Sequence, residues 1–327
     1  MPANLTPQYH SAEERYKAAS TPEEKLAALK EMIALLPKHK GTEKIHANLK
    51  KRLSKLNDQA QKSKAKGGGG SPFDHIDREG AGQIALVGLP NSGKSSLINA
   101  LTNAEADVAE FPFSSLKPTV GMTKFEDAQV QLIDLPPVSE EYTESWVYNL
   151  IRNADRLCIL IDLSAGDPEE LWLETLALLE GHKLQVVGGK HGETFGPSTG
   201  TQKTLVVGTK SDMADSSVLD AFENLFAEDF NYVIVNEIEG LDELKKALYQ
   251  SLDVIRVYSK EPGKPADKSQ PSILKKGSTT MDFAHSIHKD IAKNLKYACV
   301  WGSAQHDGQR VPHNHLLEDQ DVVEIHS

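Results

Sequence analysis

Gly88-Leu-Pro-Asn-Ser-Gly-Lys-Ser95 has the spacing G-x-x-x-x-G-K-S, and its flanks decide how it is read. Before it, Gln83-Ile-Ala-Leu-Val87 is a short apolar run of the kind that forms a buried parallel strand; after it, Ser96-Leu-Ile-Asn-Ala-Leu101 reads as the first turns of a helix. Strand, glycine loop and helix together predict a phosphate-binding loop. Successive backbone N–H groups turned inward at a helix N-terminus stabilise several negative charges, and glycine lets the backbone come close. Lys94 is expected to reach the β- and γ-phosphates of a nucleoside triphosphate as a point charge, and the Ser95 hydroxyl to coordinate Mg²⁺. The expected nucleotide-binding set here is Gly88, Asn91, Ser92, Gly93, Lys94, Ser95 and Ser96.

The chain is long enough at 327 residues for two or three domains. Its two cysteines, Cys158 and Cys299, sit in apolar runs and read as buried strand residues with no spacing for zinc or a disulfide framework. The first residues lack a basic-then-apolar leader pattern, and no run approaches the roughly 18 apolar residues of a membrane span. A soluble cytoplasmic protein is therefore expected, with no membrane partner. Charge divides unevenly: residues 1–70 hold 14 Lys+Arg against 7 Asp+Glu, a net of +7, while residues 71–327 hold 22 against 40, a net of −18. An acidic body disfavours non-specific nucleic-acid binding, so no DNA partner is expected, yet a basic arm can still dock on phosphate.

Four segments are predicted. Residues 1–66 read as a basic helical hairpin: Thr21-Pro-Glu-Glu24 is a capping box, Leu26, Leu29, Ile33 and Leu36 form one apolar stripe, Pro37-Lys-His-Lys-Gly41 breaks it, and Ile45, Leu49, Leu53 and Leu56 form a second. Lys38, Lys40, Lys44, Lys50, Lys51, Arg52 and Lys55 are either a solvated face or a contact for ribosomal RNA. Residues 67–81 form a glycine-rich linker. Residues 82–253 alternate strands (83–88, 119–125, 129–134, 156–162, 204–209, 232–236) with helices (93–102, 142–152, 168–180, 215–226, 239–251), an α/β pattern with a mostly parallel sheet and helices on both faces. The stretch from Gly188 to Gly200 reads as a surface excursion. Residues 254–327 suggest a small mixed domain with strands near 254–258, 271–274, 296–301 and 321–326 and one helix near 280–294. The histidines at 285, 288, 313 and 315 read as surface or structural residues.

Two further motifs complete a nucleotide site. Val130-Gln-Leu-Ile-Asp134 is an apolar strand ending in an aspartate suited to the Mg²⁺ shell. Thr204-Leu-Val-Val-Gly-Thr-Lys-Ser-Asp212 ends in Thr209, Lys210 and Asp212, and a carboxylate at Asp212 accepts both the N1–H and the exocyclic amine of guanine. Adenine offers the opposite edge, which favours GTP over ATP.

On these residues the chain resembles the Obg-related P-loop GTPases, most closely the Drg (developmentally regulated GTP-binding) branch with a C-terminal TGS domain. Phe111-Pro-Phe-Ser-Ser-Leu-x-Pro-x-x-Gly121 is similar to the family's switch I, with Ser115 where a Mg²⁺-binding threonine usually stands. Ile255-Arg-Val-Tyr-Ser-Lys-Glu-Pro-Gly-Lys264, Asp282-Phe-Ala, Val300-Trp-Gly302 and Leu317-Glu-Asp-x-Asp-Val-Val-Glu-Ile325 are similar to the TGS pattern, which implies a ubiquitin-like β-grasp. The resemblance implies a GTP-hydrolysing switch with Mg²⁺ held by Ser95, Ser115 and Asp134, acting on the ribosome, on translation or on RNA. A protein partner for the TGS domain is also implied. The domain inserted in some Drg relatives has no room here.

The departures bear on catalysis. Where the family has D-x-x-G, this chain has Asp134-Leu-Pro-Pro137, and proline has no N–H for a γ-phosphate. Val138 stands where related enzymes place a water-orienting glutamine. The guanine-closing S-A segment is not obvious in Val235-Asn-Glu237. Asn91 resembles the loop asparagine of K⁺-activated GTPases, which would make Lys94 and Asn91 the catalytic pair and K⁺ a further cofactor; the alternative is a loop residue without a catalytic role. Two functions are thus expected: a GTPase of low intrinsic rate, or a module that holds GTP or GDP and scarcely hydrolyses it. ATP hydrolysis, as in the related YchF branch, is disfavoured by Asp212.

Overall fold

A computed structural model describes residues 15, 28–33, 35, 49, 73, 75–102, 117–139, 143–189, 200–236 and 239–326. The chain separates into two compact units, Met1–Ser71 and Pro72–Ser327. In the first, residues 28–33 are helical with Ala28, Leu29, Met32 and Ile33 buried, and Leu49 is helical and buried, so Leu29, Ile33 and Leu49 of the two predicted stripes face a core. The capping box at Thr21, the basic turn, the remaining stripe residues and the glycine run lie outside the described residues.

The second unit holds two sheets. The larger comprises β1 (Gln83–Val87), β2 (Thr119–Phe125), β3 (Ala128–Asp134), β4 (Arg156–Asp162), β5 (Gln185–Gly188), β6 (Thr201–Thr209) and β7 (Asn231–Ile234), in the order β2-β3-β1-β4-β6-β5 with β7 also on β6. Only the β2–β3 pair is antiparallel. Alternation along β1 shows why both faces are covered: Ala85 and Val87 pack with α2 (Ser145–Asn153), α3 (Pro168–Glu180) and α4 (Ser216–Phe226), while Ile84 and Leu86 pack with α1 (Lys94–Leu101) and α5 (Leu241–Ser251).

The short strand β5 is a departure from expectation. It pairs the first half of β6, Gln185 opposite Thr201, while β7 pairs the second half on the same edge. Its four residues carry too little periodicity to announce it, and the polar start of β6 at Thr201-Gln-Lys203 hid the extension that it pairs. Of the predicted excursion, Gly188 closes β5 and residues 190–199 lie outside the described residues.

The smaller sheet has the order β11-β10-β12-β8-β9, from β8 (Val254–Lys260), β9 (Ser272–Lys275), β10 (Tyr297–Trp301), β11 (Gln309–Val311) and β12 (Asp321–His326), with β8 and β12 parallel and the rest antiparallel. Phe283 of α6 (Thr280–Ile287) fills its core against Ile255, Val257, Ala298, Val300 and Val323, giving a β-grasp. The single predicted helix is two: His288 is extended and its Nδ1 accepts from the Asp290 N–H at 3.1 Å, capping α7 (Lys289–Asn294). Thr279 and Asp282 form a capping box at the start of α6. Cys158 is buried as expected, whereas Cys299 is only half-buried, on the face of β10 away from the helix.

Candidate nucleotide site

The loop between β1 and α1 departs from ordinary backbone twice. Asn91 has φ 64° and Gly93 φ 85°, left-handed values that turn the amides of the loop in a common direction. Gly88 is required for space: a Cβ there would lie 2.5 Å from Ser92 Oγ and 2.8 Å from the Leu160 carbonyl oxygen. Helix α1 opens on Gly93 with no side-chain cap, leaving its first-turn N–H groups to an anion.

Lys94 is buried and folds back over this loop. Its Nζ donates to the carbonyls of Gly88 (2.9 Å) and Leu89 (3.0 Å) and to Ser92 Oγ (3.2 Å). Burial pushes its ammonium down to about 8, with the Asp134 charge acting in the opposite direction. Ser95 Oγ donates to Asp134 Oδ2 at 2.8 Å. The other oxygen, Asp134 Oδ1, is buried with no hydrogen-bond partner among the described residues. Burial raises the Asp134 carboxyl above its ordinary value, against the opposing effects of Ser95 and Lys94. Adjacent hydroxyl and carboxylate oxygens, one of them an orphan, are the hard donor set that Mg²⁺ takes, so the residues present fit that ion.

The base-recognition motif lies at the far end of β6. Thr209 Oγ1 donates to the Ser92 carbonyl (2.9 Å) and to that of Ile161 (3.2 Å), tying β6 to the phosphate loop and to β4. Lys210, at φ 56°, turns the chain and places Nζ 2.5 Å from Asp162 Oδ2, whose Oδ1 accepts from the N–H and hydroxyl of Ser164. Asp212 then stands exposed in the short 3₁₀ turn Ser211–Met213, its carboxylate free to meet a base from solvent. The structure thus gathers Gly88, Ser92, Lys94, Ser95, Asp134 and Thr209 in one place and sets Lys210 and Asp212 beside them. Asn91 and Ser96 are exposed on the same loop and helix start. Ser115 lies outside the described residues.

Asp162 was missed by sequence reasoning, although its signal was the one that exposed Asp134: an apolar strand ending in aspartate. The segment after Asp134 was also only half legible. Val138 is fully buried in the core with Leu135, and its N–H meets the Gly88 carbonyl at 3.4 Å. A valine here is therefore a packing residue, and not simply a poor substitute for glutamine.

Elsewhere in this unit the predicted histidine pair at 313 and 315 serves the fold: His313 Nε2 meets the Lys296 carbonyl at 3.2 Å and His315 Nε2 meets Ser303 Oγ at 3.3 Å. No group of three or more histidine, cysteine or acidic side chains positioned for a metal occurs among the described residues. Nor is any described helix long and apolar enough to cross a membrane.

Comparison with known proteins agrees with this geometry. Residues 83–188 match the model of the 50S ribosome-binding GTPase family and residues 255–327 that of the TGS domain. An uncharacterized GTP-binding protein of Methanocaldococcus jannaschii is 30% identical over 93% of this chain and 92% of its own length. Developmentally-regulated GTP-binding protein 2 of Mus musculus is 28% identical over 92% and 98%, and developmentally-regulated G-protein 1 of Arabidopsis thaliana 26% over 92% and 90%. The mouse alignment runs 360 residues against a chain of 327, so that relative carries segments this chain lacks. Aligned with these relatives over more than nine-tenths of its length, and carrying both the GTPase and the TGS matches, the chain belongs to the Drg branch of the Obg-related P-loop GTPases, a family of GTP-binding proteins with a TGS domain.

Proposed function

We propose that this GTP-binding protein hydrolyses GTP to GDP and phosphate as a switch in the cytoplasm. In this reading residues 1–66 are a basic arm, 67–81 a linker, 82–253 the GTPase domain and 254–327 the TGS domain. The observation that carries it is the Ser95–Asp134 hydrogen bond with its orphaned carboxylate oxygen, next to a buried lysine on a loop of left-handed residues. Ser95, Asp134 and Ser115 would hold Mg²⁺, which when bound neutralises charge on the β- and γ-phosphates. The loop residues Gly88, Asn91, Ser92, Gly93, Lys94, Ser95 and Ser96 take the phosphates, and Thr209, Lys210 and Asp212 take guanine. Asn91 is the candidate for recruiting K⁺, a charge whose counterpart in finger-type enzymes is worth about 10³–10⁵ in rate.

The partner proposed for the switch is the ribosome or its RNA, on the strength of the basic arm and of the ribosome-binding GTPase model that the chain matches. The test is single-turnover GTP hydrolysis in K⁺ and in Na⁺, each with and without ribosomes. A faster rate in K⁺ supports the role of Asn91, and a faster rate with ribosomes supports the partner. No turnover in any arm, with GTP bound, favours the second reading: a module that holds GTP or GDP without hydrolysis. That reading has its own support in Pro137, which offers no N–H, and in Val138, which is committed to the core.

A further inference from the structure

The β2–β3 hairpin reaches from the nucleotide site to the TGS domain. At its open end Thr119 stands opposite Asp134, whose carboxylate accepts from Ser95 Oγ at 2.8 Å. At its closed end Glu126, at φ 51°, and Asp127 form the turn that meets β8. The seven residues of β3 separate the two ends by about 20 Å of extended chain. The hairpin also bears on the helix that opens at the phosphate loop: a Cβ on Gly121 of β2 would lie 2.6 Å from Thr102 Oγ1, at the C-terminus of α1.

One cluster makes the joint at the turn. Arg256 Nη1 donates to Asp127 Oδ1 at 2.7 Å and also to Glu126, while Nη2 holds Asp319 of the TGS domain at 2.7 Å. The Tyr258 hydroxyl, two residues along β8, donates to Asp127 Oδ2. Beside them Phe125 stacks on Tyr249 of α5 at 5.2 Å and 27°, and the Arg256 guanidinium lies 5.3 Å from the centre of the same Tyr249 ring. The joint is deep on the TGS side, where Arg256 is 4% exposed, and shallow on the turn side, where Glu126 is 54% exposed. It can therefore loosen without opening either sheet.

The middle of β2 is less well held than its ends. This is an edge strand, paired to β3 alone. Its buried central positions are Gly121, which has no side chain to pack, and Thr123, whose Oγ1 has no hydrogen-bond partner among the described residues. The setting of β2 thus depends on what grips the hairpin at the nucleotide end and at the turn.

We propose that the β2–β3 hairpin is a lever: an occupied nucleotide site tightens the Arg256 joint, and the joint in turn raises nucleotide affinity. This rests on the nucleotide site described above and needs neither hydrolysis nor a ribosomal partner. A bound nucleotide orders the first turn of α1 and the end of β3 at Asp134, and both elements bear on β2. Restraint at the open end passes to the turn because β3 is hydrogen-bonded along its length to β2 and to β1. Coupling between binding free energies is reciprocal, so a joint that nucleotide tightens must itself favour nucleotide.

The test is hydrogen exchange of the full chain, read by mass spectrometry with and without Mg²⁺ and GTPγS, a slowly hydrolysed analogue, together with GTPγS affinity by equilibrium titration. Nucleotide should slow exchange in β8 and the 126–128 turn by about fivefold, the lower end of measured couplings, and slow β10 less. The double variant Glu126→Gln with Asp127→Asn empties the turn side of the joint and keeps the Arg256–Asp319 pair inside the β-grasp. It should bind GTPγS about fivefold more weakly and lose the added protection of β8. Val323→Ala, a cavity in the β-grasp core away from the joint, should lower stability and leave GTPγS affinity unchanged. Equal slowing of β8 and β10 is what ligand binding alone gives and overturns the proposal. So does unchanged affinity in the double variant, or an equal loss in Val323→Ala. Failure of the native chain to bind GTPγS overturns the nucleotide reading as well, whereas binding without slowing in β8 overturns the lever alone.

Discussion

Arg256 and Asp127 join the two sheets: the Nη1 of Arg256, on the first TGS strand, donates to Asp127 Oδ1 at 2.7 Å across to the turn between β2 and β3. The guanidinium is 4% exposed and also binds Asp319 through Nε and Nη2, with Glu126 as a further partner. Removing a cation so enclosed strands several carboxylates. Arg256→Met should therefore destabilise the protein by about 3 kcal/mol, read from urea unfolding. A loss of under about 0.5 kcal/mol, the scale of an exposed pair, would mean that the cluster contributes no more than a surface contact.

The same cluster gives stability an acid limit. Burial tends to raise the Asp127 and Asp319 carboxyls, but hydrogen bonds outweigh it, from Tyr258 and Arg256 to Asp127 and chiefly from Arg256 to Asp319, and both are held below the ordinary value. A depressed carboxylate contributes stability that is fully present above the unfolded value near 4 and lost as pH falls through the folded one. Urea midpoints should fall steeply below about pH 4, and Asp127→Asn should flatten that slope. An unchanged slope would exclude Asp127 as its source.

Lys94 sets a limit on the alkaline side. Its ammonium, pushed down to about 8 by burial, is partly neutral at pH 8.5, whereas a bound triphosphate favours the charged form. Nucleotide binding there should take up a proton, visible as a heat of binding that changes with the ionisation enthalpy of the buffer, and affinity should decline as pH rises above 8. Identical heats in phosphate and in Tris would rule this out. Folding runs the other way: the unfolded chain, with its ordinary lysine, binds the proton more tightly between 8 and 10.5, so this group's contribution to stability rises with pH across that interval.

The guanine recognition proposed for Asp212 can be separated from the support that Asp162 gives Lys210. Asp212→Asn replaces two acceptors by one acceptor and one donor, which mismatches the exocyclic amine of guanine and matches the carbonyl of xanthine. GTP affinity should drop about tenfold or more and xanthosine triphosphate affinity should rise, measured by competition. Unchanged discrimination would remove the assignment. Asp162→Asn, which loosens Lys210 at 2.5 Å, should weaken GTP without creating xanthosine binding.

How much of this was legible depended on whether a residue's role is local. The phosphate loop, Asp134 and the β-strand pattern carry their chemistry in spacing, so the sequence announces them. Arg256 does not: its partners are 63 to 130 residues away, and only the packing of β8 against the β2–β3 turn makes an arginine in an apolar strand sensible. The short strands β5 and β11 were invisible because three or four residues establish no period. Tyr297, Arg310 and His326 come together through sheet register, which the sequence does not state.

Pro137 offers the sharpest test of catalysis. The chain leaving Asp134 is held against the phosphate loop, since the Gly88 carbonyl receives both Lys94 Nζ at 2.9 Å and the Val138 N–H at 3.4 Å. Position 137 is thereby kept close to the loop, yet proline brings no N–H to it. Pro137→Gly restores a donor that can reach a γ-phosphate, and one hydrogen bond to a charged group is worth about 1.5–3 kcal/mol. GTP affinity should rise about tenfold while GDP affinity, which lacks that phosphate, stays constant; equilibrium titration with both nucleotides reads the difference. If turnover rises in step, the native chain is a nucleotide holder whose γ-phosphate sensor has been silenced. If affinity rises and turnover does not, the missing element is the water-orienting side chain, for which the buried Val138 leaves no position on this segment and which a partner would have to supply.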